Sequence, residues 1–424
     1  MSSEFFSSNS NYQGPQRRIL FLTGTRADFG KMKPLMRAVQ NAPAFVCEAF
    51  VTGMHMLKRY GLTVNEIRNA GIANIFTFIN QDSTERGMDV VLANTIRGLG
   101  HYVREFRPDM IVVHGDRVEA LGGAIVGSLH NILVAHVEGG EISGTIDELL
   151  RHAISKLSHL HFVSNEQARR RLIQMGELES SVHVIGSPNI DIMLSDTLPA
   201  LTEVKEHYEI PYDEYSLLVY HPVTTEVERI RGHAQSVMTA AMRSERNYVV
   251  IYPNNDSGSD SIMEVLESVR GHPRFTLLPS MRFEYYLTLL RHAQAIVGNS
   301  SSGVHEAPVY GVPTVNIGSR QLNRFRYESI VDVSEDSEEI VAALSHLPKG
   351  MPSLHFGSGQ SAQLFMERLG DHETWSTPCQ KQFRDVALGA AFGALTPVAR
   401  GEGAVSTPEV PAVALPERGR LQAV

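Results

Sequence analysis

The chain has 424 residues, 42% hydrophobic and 20% charged, with a formal net charge of −9 at pH 7. That length exceeds one ordinary domain and points to two, while an acidic balance without a basic run argues against a nucleic-acid footprint. Cys47 and Cys379 are the only cysteines, and a chain of this size needs no staple, so both are expected to be reduced thiols. No run reaches membrane-spanning length and the first residues lack the charged start and apolar core of a leader, so the expectation is a cytoplasmic protein with no membrane partner.

Residues 1–16 are Ser/Asn-rich and are expected to be a flexible tail; residues 391–424, rich in Ala, Pro, Val and Gly from Thr396 on, are expected to be another. Between them, short apolar runs alternate with longer amphipathic ones. Expected strands are Arg18–Thr23, Cys47–Thr52, Asn74–Phe78, Met110–His114, Ile132–His136, Leu160–Val163 and Val182–Ile185. Helical patterns at Gly30–Gln40, Met88–Phe106, Val118–Leu129 and Ile146–Leu157 separate some of them. The segment around Leu194–Tyr212, with two prolines, reads as a junction. The alternation restarts at Ser216–Tyr220, Tyr248–Tyr252, Phe275–Leu278, Ala295–Val297 and Thr314–Ile317, with helices at Val227–Arg243, Ser259–Val269 and Phe283–Arg291. Runs such as MIVVH and YVVIY are apolar throughout, as in parallel strands covered on both faces. Two such series predict an α/β protein of two Rossmann-like, doubly wound domains at 17–195 and 196–355. Ligands of such sheets bind beyond the carboxyl ends of the strands, so the two domains are expected to face a cleft.

Polar residues gather at those ends. Gly24-Thr25-Arg26-Ala27-Asp28 follows the first strand; tight-turn chemistry with a solvated Arg26 is favoured over a phosphate contact. His114-Gly115-Asp116-Arg117 follows the fourth, where Asp116 and Arg117 read equally as a structural pair or as site residues. Next come His136-Val137-Glu138-Gly139-Gly140-Glu141 and Ser143-Gly144-Thr145-Ile146-Asp147-Glu148. Four acids in so short a loop should raise one another's pKa and yield an acid and a base, although Asp147 alone fits a helix-dipole acid. His152 and His159 read as core or surface histidines. In the second half, His221 ends a strand and reads equally as a loop histidine or as one that reaches across a cleft, while Tyr252–Ser259 reads as a turn and N-cap rather than a ligand site. Gly298-Asn299-Ser300-Ser301-Ser302 feeds a strand into a helix, an anion cradle of N–H groups and hydroxyls. Glu306 beyond it can accept two ribose hydroxyls, and Arg320 in Gly318-Ser319-Arg320-Gln321 offers a further cation.

In order along the chain, TGTRADFGK, HGDRVEAL, HVEGGEISGTIDE, HPVTTE, YPNNDSGS and GNSSSGVHEAPVYG resemble the motifs of the UDP-N-acetylglucosamine 2-epimerases. The resemblance covers roughly Arg18 to Arg324. It is nearer the hydrolysing branch of sialic-acid and legionaminic-acid biosynthesis, because non-hydrolysing members typically carry GTRPE, HGDT and an HxEAGLR-like segment at these places. It implies a GT-B-like domain pair, with a C-terminal helical segment at 356–390, centred on Ser361–Asp385, crossing back to the first domain. It implies catalytic roles for Asp116, Glu138 and Asp147, and nucleotide binding by Arg26, Arg117, His221, Ser300, Ser301, Glu306 and Arg320. His305 departs from the arginine that relatives often carry. A homodimer or homotetramer is a further implication.

The reaction so implied expels UDP from C1 of a UDP-amino sugar, inverts C2 through a glycal intermediate and releases the free 2-epimer. The substrate is UDP-GlcNAc or UDP-N,N′-diacetylbacillosamine. It calls for no cofactor and no metal; the histidines have no HExxH-type spacing. A non-hydrolysing epimerase, a GT-B glycosyltransferase and an inactive nucleotide-sugar sensor are the rival readings.

Overall fold

The computed structural model describes residues 15–385 except positions 83, 85, 86, 144, 145, 255, 322 and 323. Both expected tails fall outside the described residues, apart from positions 15 and 16. Among the described residues thirteen strands form: β1 (Arg17–Thr23), β2 (Phe45–Val51), β3 (Asn74–Thr77), β4 (Met110–His114), β5 (Leu133–Val137), β6 (Leu160–Val163) and β7 (Val182–Val184) in the first half, then β8 (Ser216–Val219), β9 (Tyr248–Ile251), β10 (Phe275–Leu278), β11 (Ile296–Gly298), β12 (Thr314–Ile317) and β13 (Ile330–Val333). The central strands β4 and β5 are buried at every position. A run apolar on both faces can sit nowhere but between two helical layers.

The strands make two parallel sheets, ordered β3-β2-β1-β4-β5-β6-β7 and β10-β9-β8-β11-β12-β13. The order reverses between β1 and β4 in the first sheet and between β8 and β11 in the second. Those reversals open the crevices where loops from neighbouring strands diverge. Strand β13 differs from the expected series, because its short sequence Ile-Val-Asp-Val is broken by an aspartate at a half-buried sheet edge instead of running apolar. Asp332 there accepts a hydrogen bond from Asn316 of β12 at 2.8 Å.

Two helix starts differ from expectation. The first helix begins at Arg26, not Gly30, because Thr25 and Asp28 form a capping box: Thr25 accepts from the Asp28 N–H, and the Asp28 carboxylate accepts from the Gly24 and Thr25 N–H groups at 3.1 and 3.0 Å. The helix after β8 begins at Ile230, since Thr224–Glu226 forms a separate tight turn.

The C-terminal segment crosses to the first sheet through the helix Ser361–Gly370. Phe365 is fully buried there between Phe21 of β1 and Phe162 of β6, with ring centroids 6.5 and 4.7 Å away. Burying such a ring is worth roughly 1.5–3 kcal/mol. The Asp191 carboxylate accepts from the Ser361 and Ala362 N–H groups and so fixes the helix start. Regular helix then ends at Trp375, short of the expected Asp385. No helix among the described residues is long and apolar enough to cross a membrane.

Candidate functional site

A cleft of about 380 Å³ lies between the carboxyl ends of the two sheets. All the residues singled out above line it: Asp116, Glu138 and Asp147, together with Arg26, Arg117, His221, Ser300, Ser301, Glu306 and Arg320.

On the first-domain side the expected pairings rearrange. Asp116 does not pair with its neighbour Arg117; it is bound by Arg151, which lies one helical turn beyond Asp147 and so on the same helix face. Arg117 instead lies 3.4 Å from Glu119 and 3.9 Å from Asp256. Burial works against ionisation of Asp116, but Arg151 and Arg324 outweigh it and hold its pKa down at about 2. Asp147 goes the other way: burial and the negative charge of Asp116 raise its pKa, against the pull of Arg320 at 3.5 Å.

Crowding of the four loop acids is therefore not what separates their proton affinities. Glu141 is tied to Ser164 and Asn165, and Glu148 accepts from the Ser143 N–H. Glu138 sits just past β5 with φ +61°, a left-handed backbone that few non-glycine residues adopt. That turn directs its carboxylate to His114 Nε2 at 3.0 Å, Lys31 at 3.4 Å and the Ser187 hydroxyl. Burial alone would protonate Glu138, yet Lys31 and His114 hold it well below the usual carboxylate range. In return, and against burial, Glu138 and Asp28 raise His114 to about 9. His114 is thus an imidazolium at neutral pH.

Behind this cluster His136 is fully buried, its Nε2 donating to the Gly115 carbonyl at 2.8 Å and its Nδ1 facing Ser155 at 3.0 Å. Burial drives its pKa to about 3, which makes it a neutral prop beneath the Gly115–Asp116 turn. The bland reading of His159 also stands: Nδ1 accepts from the Val134 N–H and Nε2 lies 3.0 Å from the Cys379 carbonyl.

The second-domain side presents neutral donors. Asn299 pins two strand ends together by accepting from the His221 N–H at 2.6 Å and donating to its carbonyl at 2.8 Å. His221 Nδ1 accepts from the Asn254 N–H at 3.1 Å. Burial, together with the charges of Arg320 and Arg117, drives its pKa well down. The ring is therefore neutral with its proton on Nε2, a hydrogen-bond donor rather than a cation. Ser300 and Ser301 sit at the turn after β11, and Tyr286 donates to Ser302 at 2.5 Å. The segment at Tyr252–Ser259 does reach the cleft, through Tyr252, Pro253, Asn254 and Asp256.

Three expected roles look different in place. Arg26 is not solvated: it spans to Ser280 at 2.8 Å and Glu66 at 2.5 Å. Beside it the Gly24, Thr25 and Asp28 N–H groups are engaged in the Thr25/Asp28 capping box. Glu306 has one oxygen occupied, accepting from Asn189 at 2.7 Å with Lys31 at 3.4 Å; its Oε2 is buried without a hydrogen-bond partner. His305 stacks on Phe356 at 4.2 Å and is held neutral by burial and Arg324, whose guanidinium approaches it at 3.5 Å. A cation is present at that place after all, but Arg324 brings it.

Lys31, His114, Arg151, Ser187, Asn189 and Arg324 went unassigned in the sequence. Only Arg151, four residues after Asp147, carried a local signal. Buried Arg26 Nε, Arg324 Nε, Asn254 Oδ1 and Glu306 Oε2 have no hydrogen-bond partner among the described residues. Orphan polar atoms from both domains on one cleft mark a polar ligand site.

The comparisons agree in kind. A family profile described as UDP-N-acetylglucosamine 2-epimerase matches residues 37–370. The chain is 46% identical to the UDP-N-acetylglucosamine 2-epimerase of Neisseria meningitidis serogroup B, over 88% of its own length and all of that protein's. It is 34% identical to the UDP-N,N′-diacetylbacillosamine 2-epimerase (hydrolyzing) of Legionella pneumophila, over 82% and 94%. In structure it is similar to the UDP-GlcNAc 2-epimerase of Methanocaldococcus jannaschii solved with UDP-GlcNAc and UDP (TM-score 0.72, 19% identity, covering 83% of this chain and 99% of that one), a likeness of fold.

Proposed function

The chain belongs to the UDP-N-acetylglucosamine 2-epimerase family, and we propose that it is a hydrolysing member. It would convert UDP-GlcNAc, or its N,N′-diacetylbacillosamine counterpart, and water into UDP and the free 2-epimer. The observation that carries this reading is the division of the cleft, with carboxylates of opposed proton affinity on one wall and hydroxyl and imidazole donors beside Arg320 on the other. Residues Gly24–Asp28, His114–Arg117 and His136–Ile142, which depart from the non-hydrolysing pattern, support the hydrolysing branch. So does the named activity of the Legionella relative.

Elimination requires the C2 proton to leave while the C1–O bond breaks, its electrons departing with UDP and the C2–H pair becoming the C1=C2 bond. Among Asp116, Glu138 and Asp147, Asp147 has the raised pKa and is assigned the C2 proton. Asp116, kept ionised by Arg151, sustains that affinity by repulsion and stabilises the positive charge that develops at the ring oxygen and C1. The diphosphate gathers negative charge, which Ser300, Ser301, the His221 Nε2–H and Arg320 are placed to meet, with Arg26 and Arg117 flanking. Glu306 Oε2 is the acceptor left for ribose. Water then adds hydroxyl to C1 as a proton reaches C2 on the opposite face from the His114 imidazolium by way of Glu138; the proton water loses restores His114, and the one on Asp147 leaves to solvent. The sum is substrate plus water giving UDP plus free sugar.

Purified protein incubated in D2O with each donor, followed by proton and phosphorus NMR, tests the reading. Free UDP and a mannose-configured sugar deuterated at C2 are expected from at least one donor. An intact UDP-linked 2-epimer would place the chain in the non-hydrolysing branch, and turnover only with an added acceptor would make it a glycosyltransferase.

A further inference from the structure

Outside the cleft, three elements of the second domain bring one imidazole and two carboxylates together. Glu226 comes from the turn after β8, His233 from the helix Ile230–Arg243, and Glu335 from the segment after β13. One ligand atom from each lies within 4.8 Å of the others. We propose that this triad binds a first-row divalent transition metal of the zinc class, with water completing the shell.

The spacing fits metal donors and is looser than a hydrogen-bonded ion pair. His233 Nδ1 stands 3.6 Å from Glu226 Oε2 and 3.7 Å from Glu335 Oε1, too far for a hydrogen bond to either. Two donors bound at roughly 2.1 Å around a tetrahedral ion stand about 3.4 Å apart. Glu335 Oε1 is sealed from solvent and has no hydrogen-bond partner among the described residues, a costly state for a carboxylate oxygen unless a cation meets it. Its approach is shaped by Gly318, where a Cβ would fall 2.0 Å from that same oxygen. Glu226 is oriented from behind, because Ser319 donates to its other oxygen at 2.8 Å. Metal sites commonly hold ligand carboxylates by such outer hydrogen bonds. One nitrogen and two oxygens suit zinc, cobalt or manganese better than magnesium or calcium.

The position gives the ion a structural task. Glu226 lies five residues after His221 and accepts from Ser319, the neighbour of Arg320, so a metal here fixes the carboxylate against which both of these cleft-lining loops rest. The proposal stands whether or not the chain is a hydrolysing epimerase.

Full-length protein stripped with chelator and titrated with Co2+ is expected to show one equivalent bound per chain, with a visible d–d absorption that Zn2+ abolishes. His233→Gln and Glu335→Gln, both on partly exposed side chains, are each expected to weaken Co2+ binding at least about tenfold while thermal unfolding without metal stays unchanged. The unmodified chain by itself overturns the proposal if it gives only the spectrum of aqueous Co2+. Equal binding by wild type and both folded variants also overturns it.

Discussion

The two walls of the cleft are built from the same strand–loop–helix geometry and end in opposite electrostatics. After β4 and β5, ionisable groups face one another: Asp116 is held down at about 2, Asp147 is raised, Glu138 is kept ionised and His114 is lifted to about 9. After β8 and β11, the imidazoles of His221 and His305 are driven neutral, and hydroxyls and amides predominate. Burial alone cannot explain the difference, because it is strong on both sides. On the first wall each buried charge faces a buried counter-charge; on the second each histidine faces arginine. Opposed pKa values suit proton transfer, whereas fixed neutral donors suit an anion that arrives already charged and leaves more so.

The largest effect that can break this comparison lies on the first wall. Asp116→Asn, Glu138→Gln and Asp147→Asn are each expected to lower kcat by roughly 10²–10⁴, with UDP dissociation constants by calorimetry staying within about twofold. Full turnover in all three variants would remove the acid–base assignment. For wild type, the acid limb of the kcat profile is expected above the ordinary aspartate value of 3.8, because the Asp147 pKa is raised; Asp147→Asn should abolish that limb.

Next in size is the pH dependence of stability from His114. Its folded pKa of about 9 lies above the ordinary 6.5. Its contribution is therefore fully present below pH 6.5 and is lost as pH rises through about 9. At roughly 1.4 kcal/mol per pH unit, up to about 3 kcal/mol is at stake. Urea unfolding at pH 6.5 and 9 should show that loss in wild type and a flatter response in His114→Gln. A variant losing as much as wild type would mean that His114 is not the titrating group. On the second wall, Gly298 has φ +128°, and a Cβ there would stand 2.1 Å from the Val219 carbonyl oxygen. Gly298→Ala is expected to cost about 1–3 kcal/mol in the same assay, since neither backbone can yield without moving the Ser300–Ser301 turn.

How much of this was legible beforehand follows from where each signal resides. Runs such as Met110–His114 disclose doubly covered strands because their positions are buried on both faces and almost all apolar; β13 hid because it is a short, half-buried edge strand interrupted by Asp332. Strand-end residues were legible because the topology obliges ligands to meet them. Lys31 and Arg324 were not, since only tertiary packing carries them to Glu138 and His305. The charge states were the least legible. Asp116 next to Arg117 reads equally as a structural pair or as site residues, yet it is Arg151, 35 residues on, that takes the carboxylate. Four acids in one loop read as mutual repulsion, yet two of them are satisfied by local donors, and it is burial, with the charge of Asp116 from another loop, that raises Asp147.

The smallest expected effect discriminates best between the walls. Ser300→Ala and Ser301→Ala each remove one hydroxyl from the cradle, and a hydrogen bond to a charged group is worth about 1.5 kcal/mol or more. UDP affinity should therefore fall about tenfold for each. Because no proton is transferred on that wall, the pH of half-maximal kcat should stay where it is in wild type. The contrast with Asp147→Asn is then reciprocal: one substitution moves the binding constant and leaves the pH profile, the other removes the limb and leaves the binding constant. If Ser301→Ala shifted the limb instead, the hydroxyl would be touching the acid–base system. The division of labour between the two sheets would then give way to a single network reaching from Asp147 through Arg320 to the turn after β11.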